Sequence, residues 1–164
     1  MFEEESEKHN YKNLPVFRKA REIVDLSNKI AEFIIDSMEQ KLQAVELGMA
    51  KSYVHEIVSN SYLLPVKIAG AESVQIYDLK MENAALIRKA AREISTLCSG
   101  LQMFDIDGFN YLKMLQEEIN LFRIEFAEWV KTFDQYNYII DRWGLFNPPG
   151  INYDDKDLDD DIPM

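Results

Sequence analysis

Cysteine and histidine are the residues this sequence has least of, and their scarcity removes whole classes of chemistry. A single cysteine, Cys98, excludes a disulfide within the chain. Its neighbours Ile94, Leu97 and Leu101 make it a small buried hydrophobe rather than a reactive thiol. The two histidines, His9 and His55, lack a metal-ligand context: Glu56 follows His55, but no second carboxylate and histidine motif joins it, so no metal is expected. Ser52, Ser59 and Ser61 have no identifiable base or orienting acid, which leaves no catalytic residue and no enzyme to expect. The six glycines are scattered, excluding a phosphate-cradling loop, and no cofactor follows from the pattern. No apolar run approaches the roughly 18 residues of a membrane span, and Glu3, Glu4 and Glu5 reverse the basic start of a signal peptide. A cytoplasmic chain with no membrane partner is the expectation.

What is present is apolar content for one core and a lopsided charge. The chain has 164 residues, 47% of them hydrophobic, and a formal charge of −11, which suits a single domain. Residues 1–100 hold 13 Lys or Arg against 15 Asp or Glu, a net of −2, whereas residues 101–164 hold 5 against 14, a net of −9. Much of that acidity lies in Asp154, Asp155, Asp157, Asp159, Asp160 and Asp161. The spacing has a superficial likeness to a calcium loop, but the turn glycine and terminal glutamate are missing; a solvated acidic tail over residues 148–164 is expected. At the other end, residues 1–10 are charged and aperiodic and read as a disordered leader.

Between these ends the periodicity is helical throughout residues 11–147. Asn13 reads as a cap with Pro15 in the first turn of helix one, whose stripe is Phe17, Ala20, Val24, Ser27, Ala31 and Ile34, ending near Asp36. Helix two, from about Gln43 to Gly70, places Val45, Met49, Tyr53, Ile57 and Leu64 inward, and Pro65 inside it predicts a bend or a junction of two shorter helices. Helix three, from Ile76 or Asp78 to Leu97, carries Leu79, Ala84, Ile87, Ala91, Ile94 and Cys98, with Gly100 as its stop. Helix four follows an Asp107 cap with an Ile106 and Tyr111 staple, and its seam is Leu115, Ile119, Phe122, Phe126, Trp129 and Phe133. Without β-alternation, and with short connections, the expected fold is all-α: an antiparallel up-down-up-down four-helix bundle with a proline-bent second helix and an aromatic, acidic C-terminal extension.

Two features point to surfaces rather than pockets. Lys12, Arg18, Lys19 and Arg21 cluster near the start of helix one, and Arg88, Lys89 and Arg92 cluster on helix three; such cations neutralise phosphates when they are free, although a solvated charged face is the commoner role. Beyond Phe133, Tyr136, Tyr138, Trp143 and Phe146 crowd a stretch ended by Pro148, Pro149 and Gly150. So much apolar area calls for packing on the bundle or on a partner.

Particular blocks also carry a resemblance. Asn13-Leu14-Pro15-Val16-Phe17-Arg18-Lys19-Ala20 resembles the opening of the four-helix-bundle proteins encoded in ribosomal RNA intervening sequences. Leu64-Pro65-Val66-Lys67-Ile68-Ala69-Gly70-Ala71-Glu72 is similar to that family's proline-bearing second helix, and residues 77–90 resemble its third. The family includes the accessory variability protein of diversity-generating retroelements, a basic, pentameric, nucleic-acid-binding partner of a reverse transcriptase. The resemblance implies a homo-oligomer, a pentamer, contacting RNA, DNA or a protein that handles them. The departure is electrostatic: five chains at −11 each make −55, so attraction of a polyanion has to come from local clusters. The sequence therefore points to a non-enzymatic interaction protein with Arg18, Lys19, Arg21, Arg88, Lys89 and Arg92 as nucleic-acid contacts. The alternative is a protein-binding module engaging a basic partner through its C-terminal aromatic and acidic segment.

Overall fold

Pro15 opens the first helix at the position where a fixed φ is pre-organised and a missing N–H is no loss. The computed structural model describes residues 10–157. A 3₁₀ turn, Asn10–Asn13, precedes four α-helices: α1 (Pro15–Lys41), α2 (Ala44–Glu72), α3 (Tyr77–Leu101) and α4 (Phe109–Val130), with no strand among the described residues. The leader, apart from Asn10, and Asp159, Asp160 and Asp161 of the acidic tail lie outside the described residues.

Several expected boundaries move, each for a local reason. Asn13 is not the cap of α1; extended Leu14 is, while Asn13 Nδ2 donates to Asn10 Oδ1 within the preceding turn. The helix also runs past Asp36, because Ser37 and Met38 face inward and nothing interrupts it before extended Leu42. The next helix, α2, is a single helix through Pro65 rather than two. Its inward face is Ala50, Val54, Ile57, Ser61, Leu64 and Ile68; Val45 and Met49, expected inside, are exposed, Val45 at 77%. Apolar residues are spread around α2, buried and exposed alike, so periodicity did not single out its core face. In α3 Gly100 lies within the final turn instead of ending the helix, and Leu79 is exposed while Lys80 is buried. Finally, Asp107 does not cap α4: Gly108, in the left-handed region at φ 110°, occupies that position, and Asp107 instead ties the loop to α1 through Ser37 and Lys41.

The four helices close a ring of contacts, α2 against α1 and α3, and α4 against α1 and α3. Across α1 and α2, Glu39 pairs with Lys51 and Asn28 with Tyr62; across α2 and α3, Ala71 accepts from Lys80 and Gly100 abuts Tyr53. Ile23, Ile34, Met38, Leu64, Ile68, Ile87, Ile94, Leu101, Leu115 and Phe122 fill the centre. The seam of α4 buries Leu115, Ile119, Phe122 and Trp129, with Phe126 half-buried, whereas Phe133, expected in the helix, lies beyond its end at Val130; Trp129 donates from its indole Nε1 to Glu72 Oε1 at 2.6 Å. Cys98 is fully buried, and burial pushes its thiol up to about 12.

Residues 131–157 contain turns but no helix, and they are held onto the bundle. Phe133 is buried beside Trp129 with rings 4.9 Å apart. The Asn137 carbonyl accepts from the Tyr77 amide at 2.9 Å, and Ile140 and Pro148 are buried. The extension thus covers the start of α3, which positions the surfaces described next.

Candidate functional site

The two basic clusters end on different helices that do not neighbour each other in the ring, so they form two surfaces and not one. On α1, Arg18 and Arg21 are exposed, but Lys19 is engaged: its Nζ lies 2.7 Å from Glu118 on α4 and 3.1 Å from Glu22. The hydrogen bond to Glu118 is the main cause of the raised pKa of Lys19, with Glu22 adding to it against desolvation. Lys19 therefore staples α1 to α4, and Lys12, Arg18 and Arg21 are the cluster's remaining exposed cations near the helix start.

The α3 cluster is placed differently. Arg88, Lys89 and Arg92 line an open groove of about 540 Å³ together with Leu86 and Phe146 of the C-terminal extension. Sequence reasoning had selected Phe146 and the three cations separately, for different roles, and the fold brings them to one place. Lys89 is partly neutralised by Glu93 at 3.7 Å. Among the described residues no carboxylate lies within 4 Å of Arg88 or Arg92. Glu82 and Glu93 also line the groove, leaving the lining one formal positive charge.

The other aromatics diverge. Tyr138 packs half-buried against the core, whereas Tyr136 is 94% exposed and Trp143 92% exposed. Leu145 and Ile139 stand out with them. Trp143 is nevertheless on a well-bonded loop. The Asp141 carboxylate accepts the amides of Trp143, Leu145 and Phe146, each at 2.9 Å, and Asn147 bonds back to both the amide and the carbonyl of Asp141. These amides, Phe146 first, hold the Asp141 carboxyl below its ordinary value. Arg142 donates to the carbonyls of Tyr153 and Asp155 at 2.9 and 2.7 Å and pairs with Asp157 at 3.0 Å. Asp155 and Asp157, expected to be solvated, are thereby part of a bonded structure. Asp141, Arg142 and Asn147 went unremarked in the sequence; an Asp two to five residues ahead of an aromatic-rich turn is the Asx-turn signal that marks them.

Among the described residues no three His, Cys, Asp or Glu converge as metal ligands, and no helix is long and apolar enough to cross a membrane. Compared with known proteins, the chain matches no family model, no curated protein and no solved structure.

Proposed function

We propose that this chain is a non-enzymatic, oligomeric, cytoplasmic four-helix-bundle protein that contacts nucleic acid, or an enzyme handling it, through the α3 groove. The observation that carries the reading is the convergence of Arg88 and Arg92, neither paired with a carboxylate among the described residues, with Phe146 in one open groove. Guanidiniums bind phosphate oxygens in a bidentate fork, and an aromatic beside them offers a base a stacking face. Arg18 and Arg21 supply a secondary contact. The bundle of this reading runs up-down-up-down and antiparallel, which is supported by cross-helix pairs whose residue numbers rise on one helix as they fall on the next. A bend at Pro65 fits the same picture, since proline removes one backbone donor within α2. Self-association finds support in the exposed apolar residues at the two ends of α2, Val45 and Met49 at one and Tyr62, Leu63 and Val66 at the other, since exposed apolar patches are normally covered. A side-by-side pentamer, as the resemblance implies, would cover them.

The test is charge reversal. Arg88→Glu with Arg92→Glu is expected to abolish binding of a labelled single-stranded RNA at low salt. Replacing the pair with glutamine is expected to lower the slope of log affinity against log salt by about 1.4, the value for two single-strand phosphates. Unchanged binding, or no binding of RNA or DNA by the wild type, overturns the reading.

A second reading is favoured by the exposed loop: Trp143, Leu145 and Ile139 project from a bonded scaffold, in a C-terminal extension that also carries exposed Asp134 and Asp154. That surface suits a basic protein partner with an apolar pocket. Trp143→Ala should leave stability within about 0.5 kcal/mol of wild type, as for an exposed site, while removing such a partner at unchanged oligomeric mass; retention of every wild-type partner counts against it.

A further inference from the structure

Two open grooves of the bundle carry opposite charge. Arg88, Lys89 and Arg92 line the one on α3, and a second, of about 410 Å³, runs along α1, lined by Glu32, Asp36 and Glu39 beside Ala31 and Ile35. We propose that the α1 groove of one copy docks in the α3 groove of another, so that the chain is its own partner at this surface.

Complementarity of charge is the first argument. Along α3 the order is Arg88, Lys89, Arg92 and then Glu93; along α1, taken from its C-terminal end, it is Glu39, Asp36, Glu32 and then Lys29. With the two helices laid antiparallel, Lys89 comes opposite Asp36, Arg92 opposite Glu32 and Glu93 opposite Lys29. The steps match, since Arg88 to Arg92 and Asp36 to Glu32 are both four residues, about 6 Å of helix rise. Most of these charges are also free to pair. Lys29, Glu32, Asp36, Arg88 and Arg92 are exposed, and among the described residues none has an opposite charge within 4 Å. Glu39 is the exception on α1, held by Lys51 of α2 at 2.9 Å.

Placement is the second argument. α1 and α3 each contact α2 and α4, so they are opposite members of the ring and one chain cannot bring its own two grooves together. A like-on-like pairing would set Arg88 and Arg92 against the same cations. The contact is therefore head-to-tail, the kind that closes into a ring or extends as a filament. Chains of net charge −11 repel one another at long range, and a local match of this kind is what lets them approach. Apolar lining is present on both sides, Leu86 and Phe146 in one groove and Ala31 and Ile35 in the other.

One consequence concerns regulation, and only this part rests on the proposed nucleic-acid function. Carboxylates of a second copy seated on Arg88 and Arg92 occupy the positions of phosphates, so assembly through this contact and nucleic-acid binding exclude each other.

The experiment is a charge exchange on the full chain, read by sedimentation velocity at low salt, with far-UV circular dichroism to confirm folding. Arg88→Glu with Arg92→Glu, and separately Glu32→Lys with Asp36→Lys, are each expected to weaken self-association by about tenfold or more, because like charges then face each other. Mixing the two variants sets acidic α1 against basic α3 and basic α1 against acidic α3, and is expected to restore assembly. A wild type that does not self-associate, or equal association by the wild type and both variants, overturns the proposal. Variants that each lose assembly but do not regain it on mixing overturn it as well. A labelled single-stranded RNA then separates the two readings. Loss of assembled mass as RNA binds supports the masking, and RNA bound at unchanged assembled mass overturns it. Assembly that is rescued by mixing, with no RNA bound by the wild type at any protein concentration, leaves the contact standing and refutes the nucleic-acid function.

Discussion

Gly100 offers the sharpest test of how closely α2 and α3 approach. A Cβ at this position would stand 2.9 Å from Tyr53 Cε2 and 3.3 Å from Cδ2, inside ordinary contact. Helix propensity alone makes alanine better than glycine by up to about 1 kcal/mol, so on local grounds Gly100→Ala stabilises. Overpacking opposes this, at about 1–3 kcal/mol for a methyl forced into a filled site. The ring has little freedom to yield, for Tyr53 meets Phe104 edge-on with centroids 6.0 Å apart, a contact of about 0.5–1.5 kcal/mol. The packing term therefore wins. Gly100→Ala is expected to destabilise by about 1 kcal/mol, which for a chain of this size lowers Tm by roughly 2–4 °C. In a Tyr53→Ala background the obstacle is gone, and the same substitution should stabilise by about 0.5 kcal/mol through propensity. The double-mutant cycle, read by urea unfolding with far-UV circular dichroism, should give a coupling of about 1.5 kcal/mol, within the range for touching residues. An equal effect of Gly100→Ala in both backgrounds refutes the close approach.

Two further outcomes follow from single groups. The Asp141 carboxyl is held below its ordinary value by the amides of Phe146, Trp143 and Leu145, so the ionised form is favoured in the folded loop. Its contribution to loop order is present above the unfolded value near 3.8 and is lost as pH falls through the lower native value. Acrylamide quenching and emission of Trp143 should accordingly change on the acid side of about pH 4, and Asp141→Asn should abolish that transition; an identical profile in the variant refutes the role. Cys98 is fully buried with its thiol pushed up to about 12, so a disulfide reagent at neutral pH should label it only as the chain unfolds. Immediate labelling of the native chain would contradict its place in the core.

How far the sequence alone reaches differs from element to element. Helix four was legible because Leu115, Ile119, Phe122 and Trp129 repeat against polar neighbours, and all four are buried. Helix two was legible as a helix but not in its orientation, since apolar residues on opposite faces leave the period with no preferred direction. Caps were misassigned at Asn13 and Asp107 for one reason: a side chain able to cap locally found a different partner, Asn10 in one case and α1 in the other.

The sequence by itself determined that this protein is built from four helices with one core, because the spacing of apolar side chains along a chain is local information. It also marked the residues carrying surface charge and aromatic area. Only the tertiary structure decided which of those residues meet. Lys19 is drawn into an ion pair by Glu118, nearly a hundred residues away in sequence, and Phe146 joins Arg88 and Arg92 because the loop after α4 folds back onto α3. Such meetings depend on how whole helices pack and where the chain returns, and no periodicity along one segment contains that information.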